Sequence, residues 1–366
     1  MLARRSVLAL PLAAFAQTSE SGFTPLLNWQ SVEAPESAFT VAGSEIAVHS
    51  HASLPAWLRS EKCYENFDLQ GEFFIAGWTD SGIYIHAPEH GRPSQAGLQI
   101  KVFHQPETEP HSNSAGAIFP DIAPRLVNVA KGWNSFRVLA DYPRLQVWFN
   151  NALIHDLNCA THPALKDRLR SGYIGIVGAS SECRFRNLRI RELPGKDKWQ
   201  VLYEKPEDLA ANWHVTQGKP NVIALGNVLR GDGGGLLATN DKFQDFHFQC
   251  YVRGSAQHNS GIIFRSAGKG TDPRFGYEIQ LHPVEEAHYP TGSLYHFKRA
   301  RYPRIQDEKW FLFDLIVQGR DVTVRVDGDT IMEYSGLPRT EAGFIELQTH
   351  REGFWIEFKH LRVQKL

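Results

Sequence analysis

Several things are scarce in this sequence, and each scarcity excludes something. Four cysteines in 366 residues are too few for a disulfide framework, and no Cys-x-x-Cys pair or close Cys/His cluster is present to hold zinc. Cys159 and Cys183 are the pair that an exported protein would bridge, but strand cysteines acting as small buried hydrophobes are the simpler expectation. Charge of one sign is also lacking: Lys+Arg 39 against Asp+Glu 40 leaves −1. With no long single-sign run, the electrostatic footprint that nucleic acid or anionic lipid requires is missing. Beyond the first residues no segment is apolar enough to cross a bilayer. Helical periodicity is weak everywhere, and only Pro206 to Asn212 predicts a short turn of helix.

What is present begins with a leader. Arg4 and Arg5 precede an apolar run from Ser6 to Ala16 with small residues at Ala14 and Ala16. This predicts a signal peptide over residues 1–16, and a protein exported to the periplasm or the extracellular space. The arginine pair resembles a twin-arginine signal, and an ordinary secretory signal fits as well.

The rest of the chain is strand signal, and it occurs twice. Ser81-Gly-Ile-Tyr-Ile-His86 lies 179 positions before Ser260-Gly-Ile-Ile-Phe-Arg265, and Leu98-Gln-Ile-Lys101 the same 179 before Tyr277-Glu-Ile-Gln280. Tyr64-Glu-Asn-Phe-Asp-Leu-Gln70 is answered by Phe243-Gln-Asp-Phe-His-Phe-Gln249, and Phe-Arg-Asn-Leu-Arg-Ile190 by Phe-Lys-His-Leu-Arg-Val363. Asn150-Asn151 and Asp327-Gly328 are matching hairpin turns. Short runs alternating apolar and polar residues, separated by Gly, Pro, Asn and Asp, predict antiparallel sheets packed face to face. The expected architecture is all-β: a first sandwich or jelly roll over 20–193, a Pro/Gly/charged linker at 194–198 and a second over 199–366.

The second copy resembles the 3-keto-disaccharide hydrolase domain family. The resemblance rests on Asn259-Ser-Gly-Ile-Ile-Phe-Arg265, Gly276-Tyr-Glu-Ile-Gln280, Thr291-Gly-Ser-Leu-Tyr295, Lys309-Trp310, Gly343-Phe-Ile-Glu-Leu-Gln-Thr-His350 and the closing Leu-Arg-Val363. It is weaker but continuous over the first copy. It implies a concanavalin A-like jelly roll in each copy, a carbohydrate or glycoside substrate, and a hydrolase or lyase acting on sugars oxidised at C3. No nicotinamide cofactor is implied for this step, and a divalent cation is left open. A 3-ketone acidifies the C2 proton, so the site needs a base, a donor to the enolate oxygen and an acid or metal for the leaving group.

The second copy offers Glu278 or His350 for proton transfer and Arg265 as cationic donor. Gln280, Gln348 and Tyr295 are candidates for positioning the substrate, and Trp310 for an aromatic sugar contact. In the first copy these places hold His86 for Arg265, Gln99 for Glu278, Lys101 for Gln280 and Phe119 for Tyr295, while Ile-Val-Gly-Ala179 replaces Leu-Gln-Thr-His350. That copy is expected to be a scaffold, a sugar-binding module or a wall of the cleft.

Blander readings stand beside these. Arg265 would pair with a surface carboxylate, Glu278 and Gln280 would form the wet face of a strand, and Tyr295 and Trp310 would belong to the core. A non-catalytic, lectin-like protein is the rival class. An ordinary glycosidase could draw paired carboxylates from Glu278, Glu346 and Glu357. Asp327-Gly-Asp329 imitates a calcium loop but reads more simply as a turn. His282, His288 and His296 with Glu285 and Glu286 form a loop cluster that matches no defined metal motif.

Overall fold

The computed structural model describes residues 21–49, 56–104, 109–178, 181–269, 272 and 274–366. The expected leader lies outside them. Two β-sandwiches follow one another, each an eight-stranded sheet facing a smaller one of six strands in the first half and five in the second. No sheet mixes strands from the two halves, and the chain passes between them after strand Cys183–Leu193 and before strand Gln200–Tyr203.

Alternation in each strand decides what is buried. In strand Phe246–Gly254 the side chains of Phe246, Phe248, Cys250 and Val252 enter the core, while His247, Gln249, Tyr251 and Arg253 lie between them in sequence and face the other way. Each half has its own continuous apolar core, the first around Phe67, Phe73, Phe149 and Phe185, the second around Phe246, Phe264, Phe313 and Phe358. The hairpin turns form at Asn150-Asn151 (φ 46° and 64°) and Asp327-Gly328 (φ 50° and 84°). Two successive positive-φ residues give the turn whose twist matches that of paired strands. The short helix spans Glu207–Asn212, with the Asp208 carboxylate accepting from the Glu204 and Lys205 amides. All four thiols are free, so Cys159 and Cys183 form no bridge, and Cys183 and Cys250 are buried as small hydrophobes.

The first half rests on the outer face of the second half's eight-stranded sheet. Glu89 is the hub of this contact. Its carboxylate lies 3.0 Å from Lys359 Nζ and 3.0 Å from His360 Nε2, and its backbone N–H donates to Tyr251 Oη at 2.6 Å. Ala96 and Leu169 of the first half pack against Tyr251, Trp310 and Leu312 of the second. Arg92 with Asp329 and Arg325 with Asp167 add ion pairs across the junction. The opposite, five-stranded sheet of the second half takes no part in these contacts.

Candidate functional site

The five-stranded sheet runs in the order Trp213–Gly218, Gly235–Thr239, Phe344–Thr349, Ser260–Ser266, Tyr277–Leu281. In its last strand Tyr277, Ile279 and Leu281 enter the core, so Glu278 and Gln280 project from the outer face. The same rule turns Glu346 and Gln348 outward, since Ile345 and Leu347 enter the core. Register then aligns two rows across the sheet. One contains Leu236, Gln348, Gly261 and Gln280, the other Ala238, Glu346, Ile263 and Glu278.

Gly261 is the clearing in this surface. A Cβ there would lie 2.5 Å from Glu278 Oε1, so the Glu278 side chain leans across the bare backbone toward the strand that carries Gln348. Glu278 is only 6 % exposed, and its carboxyl makes no hydrogen bond to a described residue. Burial alone pushes its pKa up to about 7, because the charged form loses hydration that nothing replaces. Nearby, Gln280 Nε2 donates to Asn259 Oδ1 at 2.8 Å. Thr216 Oγ1 donates to Glu346 Oε1, while Glu346 Oε2 and Gln348 Oε1 are buried without a donor. Unpaired buried acceptors are rare and costly. Two on one face, beside a carboxyl with no cation among the described residues to hold it ionised, suit a ligand that brings hydroxyl donors. Gly261→Ala is expected to displace the Glu278 carboxyl while the sheet stays folded, lowering kcat about 10²-fold with an unchanged circular dichroism spectrum.

The other residues singled out in the sequence divide into two groups. Tyr295 extends the second row, beside Glu278. Its backbone N–H donates to Glu278 O at 2.9 Å, and its half-buried ring lies 5.0 Å from Tyr289 and 4.2 Å from His296. His350 is exposed just beyond strand Phe344–Thr349, two residues past Gln348. The structure therefore brings Glu278, Gln280, Gln348 and Tyr295 to one face, with His350 past the end of the strand that carries Gln348.

Arg265 and Trp310 lie elsewhere. Arg265 falls at a break in alternation, with φ 47° and a register shift between Ile263 and Ser266. Its guanidinium is buried against Gln244 O (2.9 Å), Arg339 O (3.1 Å) and Asp245 Oδ1 (2.9 Å). The first copy repeats the device: His86, with φ 51°, bonds Glu65 O at 2.7 Å, and Glu65 stands 179 positions before Gln244. Gly172 and Gly343 give each kink its room, since a Cβ on either would strike the backbone of His86 or Arg265. The feature common to both copies is an anchor of the fold. Trp310 lies on the other sheet, at the junction of the halves, where Arg253 and Lys359 each sit 4.7 Å from its ring centroid and His90 stacks on it at 6.0 Å.

Sequence reasoning missed the part played by Gly261, Asn259 and Thr216. The signal for Gly261 was on hand, because Gly82 holds the same place in the first copy and a Cβ there would lie 2.8 Å from Gln99 Nε2. On that copy's outer face the acid is gone. Lys101 pairs with Asp80 at 2.9 Å where Gln280 meets Asn259, and Trp57 and Tyr84 pack edge to face at 5.4 Å with Val177 beside them. Among the described residues no three His, Cys, Asp or Glu side chains converge as a metal group would, and His282 Nδ1 instead bonds His258 O at 2.7 Å.

Comparison with known proteins agrees with the duplication. Among curated proteins none matches the chain. A putative glycosyl hydrolase from Parabacteroides distasonis is 18 % identical over 47 % of this chain and 94 % of its own, with a TM-score of 0.41. The β-glucanase of Bacillus licheniformis is 10 % identical over 48 % of this chain and 100 % of its own, with a TM-score of 0.35. The family model of the 3-keto-alpha-glucoside-1,2-lyase-like domain matches residues 22–191 and again 198–364. Both halves, and with them nearly the whole chain, belong to the 3-keto-alpha-glucoside-1,2-lyase-like domain family.

Proposed function

We propose that the second half cleaves 3-keto-glycosides by elimination, with Glu278 as the base, in an enzyme exported by the leader at residues 1–16. The observation that carries this reading is the Glu278 carboxyl: buried, without a partner, and held near pKa 7 over the clearing at Gly261. A base poised near neutrality is what removal of a C2 proton beside a ketone calls for. In the first step Glu278 takes the proton from C2, the electron pair moves into an enolate on the C3 oxygen, and the C1–O bond breaks. The departing oxygen takes up a proton, and His350 is our candidate to supply it. Water then adds across C1 and C2, restoring the C2 hydrogen and placing a hydroxyl on C1, so the net change is hydrolysis. The amides of Gln280 and Gln348 can donate to the developing oxyanion, and Tyr295 borders the sugar ring.

A second reading has its own observation. Glu278 and Glu346 occupy one row with Ile263 between them, two strand spacings or about 10 Å apart at Cα, and a pair of carboxylates on one face is the apparatus of direct glycoside hydrolysis.

The deciding experiment incubates the full chain with a 3-keto-glucoside and with its unoxidised parent and follows release of the aglycone. Release from the keto sugar alone, lowered about 10²-fold by His350→Ala, is the expected result. Release from the parent glycoside at a comparable rate would favour the carboxylate pair. Release from neither, with binding of both, would point to a lectin-like protein.

A further inference from the structure

The contact between the halves encloses a cleft of about 200 Å³, smaller than a drug-sized site and away from the Glu278 face. Clefts between domains are preferred places for small ligands. Four of the cations that line it are each in an ion pair, with three aspartates between them. Lys166 and Arg325 share Asp167, Arg168 holds Asp121, and Arg170 holds Asp197. Arg362 differs. Among the described residues it has no carboxylate in ion-pair reach, only the amide oxygen of Gln249 and, at 3.4 Å, the hydroxyl of Ser171. Its guanidinium lies 4.4 Å from the centroid of the Trp199 ring, which forms part of the cleft wall. Asp314, also on the wall, is held by His247 at 2.7 Å and Gln249 at 2.6 Å.

The first copy contains the same unit without the enclosure. Arg189 bonds Gln70 and lies 5.0 Å from the Phe23 ring centroid, as Arg362 does with Gln249 and Trp199. Gln70 is half-buried, whereas Gln249 is buried under the other half. Both arginines are half-buried, but the cover of the other half strips water from the Arg362 charge and lowers its pKa, a cost that an anion would offset.

The geometry points to a binding site for a single-ring sugar acid in this cleft, its carboxylate on Arg362, its ring against Trp199 and its hydroxyls on Gln249 and Asp314. Arginine presents paired donors that match a carboxylate, and an indole face accepts the apolar side of a sugar ring. The site is independent of the chemistry at Glu278.

The test is calorimetric titration of the full chain with glucuronate, with glucose and with acetate. Glucuronate is expected to bind, with glucose and acetate at least about tenfold weaker. Arg362→Gln should weaken glucuronate by about tenfold or more, the loss of one charged hydrogen-bonding partner. Ser171→Val, which narrows the cleft, removes the hydroxyl beside Arg362 and leaves the charge in place, should weaken it as well. Arg189→Gln removes an equal charge from the open copy of the unit and should change nothing. The proposal is overturned if glucuronate does not bind, if acetate binds as tightly, or if binding survives Ser171→Val.

Discussion

Replacing Glu278 with glutamine is expected to abolish turnover of a 3-keto-glycoside, by about 10³-fold, and to make the protein more stable at alkaline pH. The two effects share one cause. The carboxyl titrates near 7 in the folded chain against 4.5 as a free group, because burial strips the ionised form of water and no donor compensates. Between those values the folded state keeps a proton that the unfolded state has lost, so stability falls as pH rises from about 4.5 to about 7. Above that range the ionised group costs the folded state about 3 kcal/mol. The glutamine variant carries no such cost. Its melting temperature should lie close to wild type at pH 4 and above it at pH 8. Wild-type activity should rise with pH through about 7 as the base loses its proton. Full activity in the variant, or identical pH dependence of melting, would remove Glu278 from the proposed role.

Arg265→Met should do the reverse, harming stability and sparing chemistry. The guanidinium joins Gln244 O, Arg339 O and Asp245 inside a kink that both copies share. Its removal takes a charged donor from two carbonyls and from Asp245, leaving the carboxylate the Gly319 amide and Arg339 O the Tyr277 hydroxyl, at about 3 kcal/mol, or roughly 10 °C in the melting of the second half. Rate per folded molecule, measured well below the transition, should stay within a few-fold of wild type. A catalytic arginine would give the opposite pattern, an unchanged melting temperature and a collapsed kcat.

The contrast between these residues shows what the sequence could and could not reveal. Period-two alternation correctly put Glu278 and Gln280 on one face, and the same count in strand Phe344–Thr349 put Gln348 beside them, because nothing interrupts those strands. It fails at Arg265, where a positive-φ residue breaks the alternation between Ile263 and Ser266 and turns the side chain toward Gln244 and Asp245. The repeat held the clue, since the kink at His86 keeps its place while its side chain changes. Duplication, all-β class and both asparagine or aspartate hairpins were legible because each depends on local residue types. The place of Trp310 was not. Which outer face of a sandwich receives another domain depends on long-range fit, and periodicity is silent about that.

The companion half sits behind one sheet of the second sandwich, and the Glu278 face fronts the other. A sandwich core about 10 Å thick keeps the two apart. In the proposed reaction a leaving group that extends away from Glu278 would point away from the companion half.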